Sequence, residues 1–269
     1  MVAQLKPLRA PLPPPQAGDW LSEQDELGQL FEDYVESHPI RPTPERHTIY
    51  IQPLGPFIEQ QQEIVTRTAE FIGHYFNLPV QVRAGLPLSV VPASGFRWQG
   101  QNRIQQMHTG TVLFQVLRPK LPADAAVFIA LTAVDLFPEP KWNFVFGQSS
   151  TFHRVGVWSL ARYGDPRLGE VVRRQALVRT TKIASHEISH MFGLEHCTEH
   201  ACNMNGVNSL DEVDRTPLDL CPECLAKICW LTGIDPVAWL RRIGSDCHAL
   251  GLTKEAHLFE QTLKDLSSQ

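Results

Sequence analysis

An α/β domain with a mixed, mostly parallel twisted sheet is what the sequence predicts, and three observations predict it. Short β-rich segments alternate with helical ones from residue 48 onward. Residues 57–76 place Ile58, Ile64, Val65, Ala69 and Ile72 at helical spacing. Residues 125–136 form an apolar run suited to a buried central strand. This β-α-β-α-β order is the pattern of helices laid on a sheet whose strands run largely in one direction.

Each element follows in order. Eight of the 21 prolines fall in residues 1–45, which read as an extended N-terminal arm. Within it, residues 20–36 carry Leu27, Leu30, Phe31, Tyr34 and Val35 on one helical stripe opposite Glu23, Asp25, Glu26, Glu32 and Asp33. The expectation is a single acidic amphipathic helix docked on the body, with a site-covering or partner-binding helix as the alternative. Residues 48–52 read as a strand, 57–76 as a long helix, 79–82 as the next strand and 102–117 as a helix weakened by Gly110. The central strand at 125–136 is closed by the turn Phe137-Pro138-Glu139-Pro140, and 143–147 and 154–161 are two further strands.

A long helix then begins between Pro166 and Gln175. Asp165-Pro166 makes a good start, whereas Gly169 argues for a later one. Val172, Ala176, Ile183 and Ala184 would seat this helix on the sheet. Arg162, Arg167, Arg173, Arg174, Arg179 and Lys182 read as a solvated face rather than a carboxylate-binding subsite. Apolar spacing at 225–231, 237–243 and 256–266 predicts three helices closing a small carboxyl-terminal subdomain.

Composition excludes several classes. The chain of 269 residues, 43% hydrophobic, can hold one large domain or a domain with a subdomain. It contains no run of 18 apolar residues, so no membrane span is expected. A net charge of −5 and a pI near 6.1 give no electrostatic reason to bind nucleic acid. Nor does the cysteine-rich end, where five Lys and Arg face six Asp and Glu from Cys221 onward. Residues 1–16 hold Pro7, Pro11, Pro13, Pro14 and Pro15 and no apolar run of seven, so no secretory signal is expected and the chain is read as a cytoplasmic monomer with reduced thiols.

The chemistry is concentrated at 186–204. His186 and His190 stand four residues apart, which on a helix points both imidazoles from one face toward a shared tetrahedral Zn²⁺ at roughly 2.0–2.1 Å. Glu187 lies beside the metal rather than on it, placed to take a proton from water whose pKa a zinc ion lowers to about 7. Gly193 can adopt the left-handed conformation that ends a helix, and the turn returns His196 as a third ligand. Three protein ligands leave one coordination position open, the catalytic kind of zinc site. Cys197 with Cys202, and Cys221 with Cys224, form two close pairs suited to a closed four-thiolate site, disulfides being the alternative in an oxidising compartment. Cys229 and Cys247 are expected to pack as small apolar residues.

These residues resemble the metzincin zinc peptidases and, within them, the archaemetzincins. The resemblance rests on ten specified positions within 39: His186, Glu187, His190, Gly193, His196, Cys197, Cys202, Met204, Cys221 and Cys224. Sixteen residues separate Met204 from Cys221, one short of the family's usual spacing. It implies two zinc ions per chain, a catalytic one on His186, His190 and His196 and a structural one on Cys197, Cys202, Cys221 and Cys224, with a Met-turn at Met204 beneath the first. It also implies a metzincin-like catalytic domain over 46–269, with an upper subdomain at about 46–193 and a lower, helical, zinc-bound one at about 194–269. In such a domain an antiparallel edge strand above the metal, here 143–147 by chain order, pairs with substrate main chain.

The implied activity is zinc-dependent hydrolysis of peptide bonds by Glu187, on short or unfolded peptides and aminopeptidase-like in mode. The alternative is a zinc-stabilised peptide-binding or regulatory protein with little turnover. Glu187 favours the enzyme, because a binder needs the ligands but not the base. The resemblance implies a Tyr shortly after Met204 that steadies the tetrahedral oxyanion, as in many metzincins, but none occurs in 205–220, which leaves Tyr163 and His200 as candidates, each more readily read as a surface residue.

Overall fold

The apolar run at the centre of the chain becomes the middle of a five-stranded sheet, with every residue of Ala125–Thr132 buried. The computed structural model describes residues 11–267, so the first ten residues of the arm, Pro7 among them, lie outside the described residues. The described residues fall into two compact units, one of Pro42–Gly73 and Leu78–Met191, the other of residues 11–41, 74–77 and 192–267.

In the first unit the strands are β1 (Thr48–Leu54), β2 (Val80–Val82), β3 (Phe96–Gln99), β4 (Ile104–His108), β5 (Ala125–Thr132), β6 (Asp135–Phe137), β7 (Gly147–Ser150) and β8 (Val155–Ser159). The larger sheet runs β2-β1-β5-β8-β7, parallel throughout except for β7, which pairs antiparallel with β8 at one edge. β5 lies centrally and is apolar on both faces, as a strand between parallel neighbours must be. Leu54, Val91, Met107, Val112, Val116, Phe128 and Val157 belong to one buried cluster. The helix predicted at 57–76 forms at Glu59–Tyr75, with Ile64, Val65, Ala69 and Ile72 buried as their spacing requires.

Three expectations fail here. The predicted helix at 102–117 is instead β4 followed by an irregular helical segment, Val112–Leu117 among it. Phe96–Gln99 pairs antiparallel with Ile104–His108, and Gly100 and Arg103 turn the chain between them at φ +66° and +47°. Gln106 is buried only because Asp135, at 2.7 Å, and the Asn143 carbonyl, at 2.8 Å, accept from its amide, so tertiary pairing overrides local spacing. The predicted single strand at 125–136 is divided: the Thr132 hydroxyl accepts from Val134 N–H, and the chain enters a second, three-stranded sheet, β3-β4-β6.

The edge strand is displaced from 143–147 to Gly147–Ser150. The Trp142 and Asn143 carbonyls are taken by the Arg97 guanidinium instead of a neighbouring strand. Gly147 lies against Trp158, where an added Cβ would come within 2.4 Å of Cδ1.

In the second unit the three predicted carboxyl-terminal helices form at Pro222–Thr232, Pro236–Ala249 and Thr253–Ser267. Trp239 is their buried centre, edge-on to Tyr75 at 5.1 Å and donating from Nε1 to the Tyr75 carbonyl at 2.8 Å. The single arm helix expected over 20–36 is two short ones, Trp20–Glu23 and Phe31–Glu36. Gly28, at φ +73° with Thr198 Oγ1 2.4 Å from where its Cβ would be, interrupts any continuous helix. Leu27, counted in the apolar stripe, is 99% exposed, whereas Tyr34 is fully buried. Among the described residues no helix is long and apolar enough to cross a membrane.

Candidate metal centre

The motif helix uses both of its start signals. Asp165 caps a single turn, Pro166–Leu168, by accepting from Arg167 N–H at 3.0 Å; Gly169 at φ +120° then resets the chain, and the helix runs Glu170–Met191. The arginines ahead of the motif are held locally: Arg162 grips Asp135 at 2.7 Å, Arg167 grips Asp165 at 2.7 Å, Arg173 pairs with Glu170, and Arg179 donates to the Tyr163 carbonyl at 3.0 Å. Ala176, Ile183 and Ala184 are buried as expected. Thr180, Ser185 and Ser189 are also buried, because each hydroxyl donates to the carbonyl one turn back, at 2.7 to 2.8 Å.

His186 and His190 project from the end of this helix with their Nε2 atoms 2.9 Å apart and their rings at 85°. Beyond Met191, Gly193 takes φ +88° as predicted, and one nitrogen from each of His186, His190 and His196 lies within 4.8 Å of the others. Two nitrogens on one tetrahedral zinc stand roughly 3.3 Å apart at a Zn–N distance of about 2.0–2.1 Å, so the donor set fits that ion.

Glu187 sits one position along the helix, and burial pushes its carboxyl up to about 7. Tyr163 is not a surface residue: it is buried, its hydroxyl has no hydrogen-bond partner among the described residues, and burial, reinforced by the charge of Glu187, drives its phenol far above the ordinary range. His200 is partly buried, its Nδ1 likewise without a partner among the described residues.

His196 is set by the arm. Its Nδ1 lies 3.0 and 2.9 Å from the two carboxylate oxygens of Glu26, and Trp20 meets its ring edge-on at 5.0 Å. The turn that carries His196 is also capped from the arm: Tyr34 donates to the Phe192 carbonyl at 3.0 Å and Gln29 to the Gly193 carbonyl at 3.3 Å.

The four cysteines converge as the resemblance implies. Cys197, Cys202, Cys221 and Cys224 are buried with all four Sγ atoms within 4.8 Å of one another. The Cys202, Cys221 and Cys224 side chains donate toward Cys197 and hold its thiol far below the ordinary range, while burial drives Cys202 up and the contact with Cys197 drives Cys224 up. Four thiolates cannot share this volume without a cation, which is the condition a structural zinc meets. Backbone N–H groups of Met204 and Cys221 point at the Cys202 sulfur, at 3.5 and 3.3 Å. Buried Met204 returns its carbonyl to Cys197 N–H at 2.7 Å, and Asn205 braces the loop by donating to the Cys197 and His200 carbonyls at 2.7 and 2.9 Å. Cys229 and Cys247 are buried among helices away from this group; burial pushes the Cys229 thiol up to about 12 and Cys247 higher still.

The profile of peptidase family M54 matches residues 123–229, the interval that ends just past this cysteine cluster. Archaemetzincin-2 of Homo sapiens is 35% identical over 246 residues, covering 78% of this chain and 66% of that protein. Archaemetzincin-2 of Pongo abelii is 34% identical over 255 residues, covering 81% and 69%. The chain belongs to the archaemetzincin family. It thus spans about two thirds of the length of these archaemetzincin relatives. Its fold is similar to the crystal structure of archaemetzincin from Methanopyrus kandleri, with a TM-score of 0.54 at 27% identity over 72% of this chain and 99% of that one. A zinc-dependent peptidase from Methanocorpusculum labreanum shares the fold, with a TM-score of 0.52 at 23% identity over 66% and 99%.

Sequence reasoning did not find Glu26, Trp20 or Asn205. Glu26 lies 170 residues before His196, and no local spacing connects them. Asn205 follows buried Met204, and no spacing in the sequence marks it as a brace for the cysteine loop.

Proposed function

We propose that this archaemetzincin binds two zinc ions and hydrolyses peptide bonds in short or unfolded peptides, with an aminopeptidase-like mode. The observation that carries the reading is the convergence of His186, His190 and His196 at the end of one helix that also presents Glu187. His186, His190 and His196 would hold the catalytic ion, and Cys197, Cys202, Cys221 and Cys224 the structural one. A zinc ion at the three histidines supplies a Lewis acid that polarises a peptide carbonyl and makes water acidic near neutral pH.

Glu187 takes the proton from the attacking water and delivers it to the nitrogen of the leaving amine, so one carboxyl serves first as base and then as acid. Its crowded position suits it to both states, since burial already disfavours the bare carboxylate. Gly147–Ser150, an antiparallel edge, offers main-chain groups to an extended peptide; pairing of this kind tolerates many side chains and leaves selection to neighbouring pockets. The reading includes a metzincin-like division into an upper subdomain at about 46–193 and a lower one at about 194–269, with Met204 beneath the catalytic ion. It is supported by family membership and by the three-histidine and four-cysteine donor sets.

Mass spectrometry of cleavage positions in a mixed peptide pool tests it. Zinc-dependent release of amino-terminal residues from short peptides is expected, and no cleavage by zinc-loaded protein would leave only the peptide-binding alternative.

A further inference from the structure

The third histidine is held by a part of the chain that carries none of the zinc-peptidase motif. Both Glu26 oxygens reach His196 Nδ1, at 3.0 and 2.9 Å, and the pair is mostly covered, with the His196 side chain 16% exposed and that of Glu26 30%. A carboxylate accepts and cannot donate, so the imidazole must present Nδ1–H to it, which assigns the metal-facing lone pair to Nε2. Trp20 closes another side of the ring and is itself fixed, its backbone N–H donating to Glu212 at 3.0 Å and its indole filling space that any Cβ on Gly206 would occupy, 2.3 Å from Cδ1.

The residues that follow Glu26 are tied to the short stretch that carries His196. Gln29 donates to the Gly193 carbonyl at 3.3 Å and accepts from Glu195 N–H at 3.3 Å. Thr198 donates to the Leu27 carbonyl at 3.4 Å, and buried Lys227 donates to the Gln29 carbonyl. These bonds hold residues 26–29 in register with residues 193–198, so the carboxylate meets the ring at a set position rather than as a mobile surface charge.

We propose that Glu26 is a positioning residue for the catalytic metal site: through Nδ1 it fixes the tautomer and the ring orientation of His196, so that the N-terminal arm orients the third histidine of the zinc ligand set. The inference rests on the reading of His186, His190 and His196 as the zinc ligands. Carboxylates that accept from the second ring nitrogen of a ligand histidine typically contribute about 10–100-fold in metal affinity.

The test uses the full chain, wild type against Glu26→Ala and Glu26→Gln, titrated with a chromophoric chelator after loading with zinc. The four-thiolate ion serves as the internal reference. Wild type should release its two ions in separate phases, and Glu26→Ala should release the weaker one at about 10–100-fold lower chelator strength while the other phase stays in place. Glu26→Gln, whose amide oxygen accepts the same N–H, should recover most of the difference.

An imidazole-selective nitrogen–proton NMR spectrum of wild type should show a protected Nδ1–H at His196, which decides the matter if Glu26→Ala does not fold. Two release phases that ignore both substitutions, or a His196 Nδ1–H exchanging freely with solvent, would overturn this proposal alone. A wild-type chain that retains only one ion would overturn the three-histidine reading and this proposal with it.

Discussion

The Sγ atoms of Cys197 and Cys221 lie 3.6 Å apart across 24 residues of sequence. A disulfide would bring them to about 2.05 Å. Two thiolates sharing a tetrahedral zinc at about 2.3 Å stand roughly 3.8 Å apart, so the separation matches a metal site and not a bond. The chain as isolated is therefore expected to hold two zinc ions by elemental analysis. Cys221→Ser should remove one and destabilise the fold by about 4 kcal/mol or more, because it opens a buried ligand set, even though the serine hydroxyl can still cap Pro222–Thr232. His190→Ala should remove the other ion with the fold largely kept. A disulfide found between any two of the four cysteines in reduced protein would contradict the assignment.

Glu187→Gln preserves shape but cannot accept the proton. Turnover of a short peptide should fall by about 10² or more with both zinc ions still bound, the usual scale for a positioned general base. Unchanged cleavage in a metal-loaded variant would place the activity on another group.

Cys229 and Cys247 should be unreactive in the folded state. At pH 8, with its thiol pushed up to about 12, Cys229 offers about 10³-fold less thiolate than an ordinary cysteine, before access is considered. Denaturation should restore alkylation by iodoacetamide at both sites, as counted by mass spectrometry. The folded state keeps a proton that the unfolded state loses above its ordinary thiol range. Both groups therefore stabilise the fold fully below about pH 8.5; the contribution of Cys229 declines between about pH 8.5 and 12, and that of Cys247, raised by burial in the same sense, also declines as pH rises above the ordinary thiol range. Rapid labelling of either residue in native protein would show that the site opens.

Tyr34 is fully buried and donates to the Phe192 carbonyl at 3.0 Å, the first residue past the motif helix. Tyr34→Phe leaves that carbonyl without this donor and should lower stability by about 1–2 kcal/mol in urea titration. No shift in the urea midpoint would mean that another group or water replaces the phenol.

Local geometry accounts for what was legible from sequence alone. On a helix the four-residue step from His186 to His190 determines that they share a face, and Gly193 determines where that helix stops; neither depends on distant residues. The close cysteine pairs and the three carboxyl-terminal helices were legible for the same reason, as were β5 and the helix Glu59–Tyr75.

Where pairing is long-range, tertiary structure decided. Residues 104–108 became a strand because Phe96–Gln99 and Asp135–Phe137 flank them, and Gln106 is tolerated inside because Asp135 accepts from it. The apolar stripe of the arm suggested one helix, yet the arm's backbone finds better partners in Thr198, Glu223 and Lys227 than in its own next turn. The Glu26–His196 contact has no sequence signature because a carboxylate 170 residues away is brought to the imidazole only by the docking of the arm. The candidate metal-binding residues were thus written close together in sequence, while the orientation of His196 depends on a contact that exists only once the chain has folded.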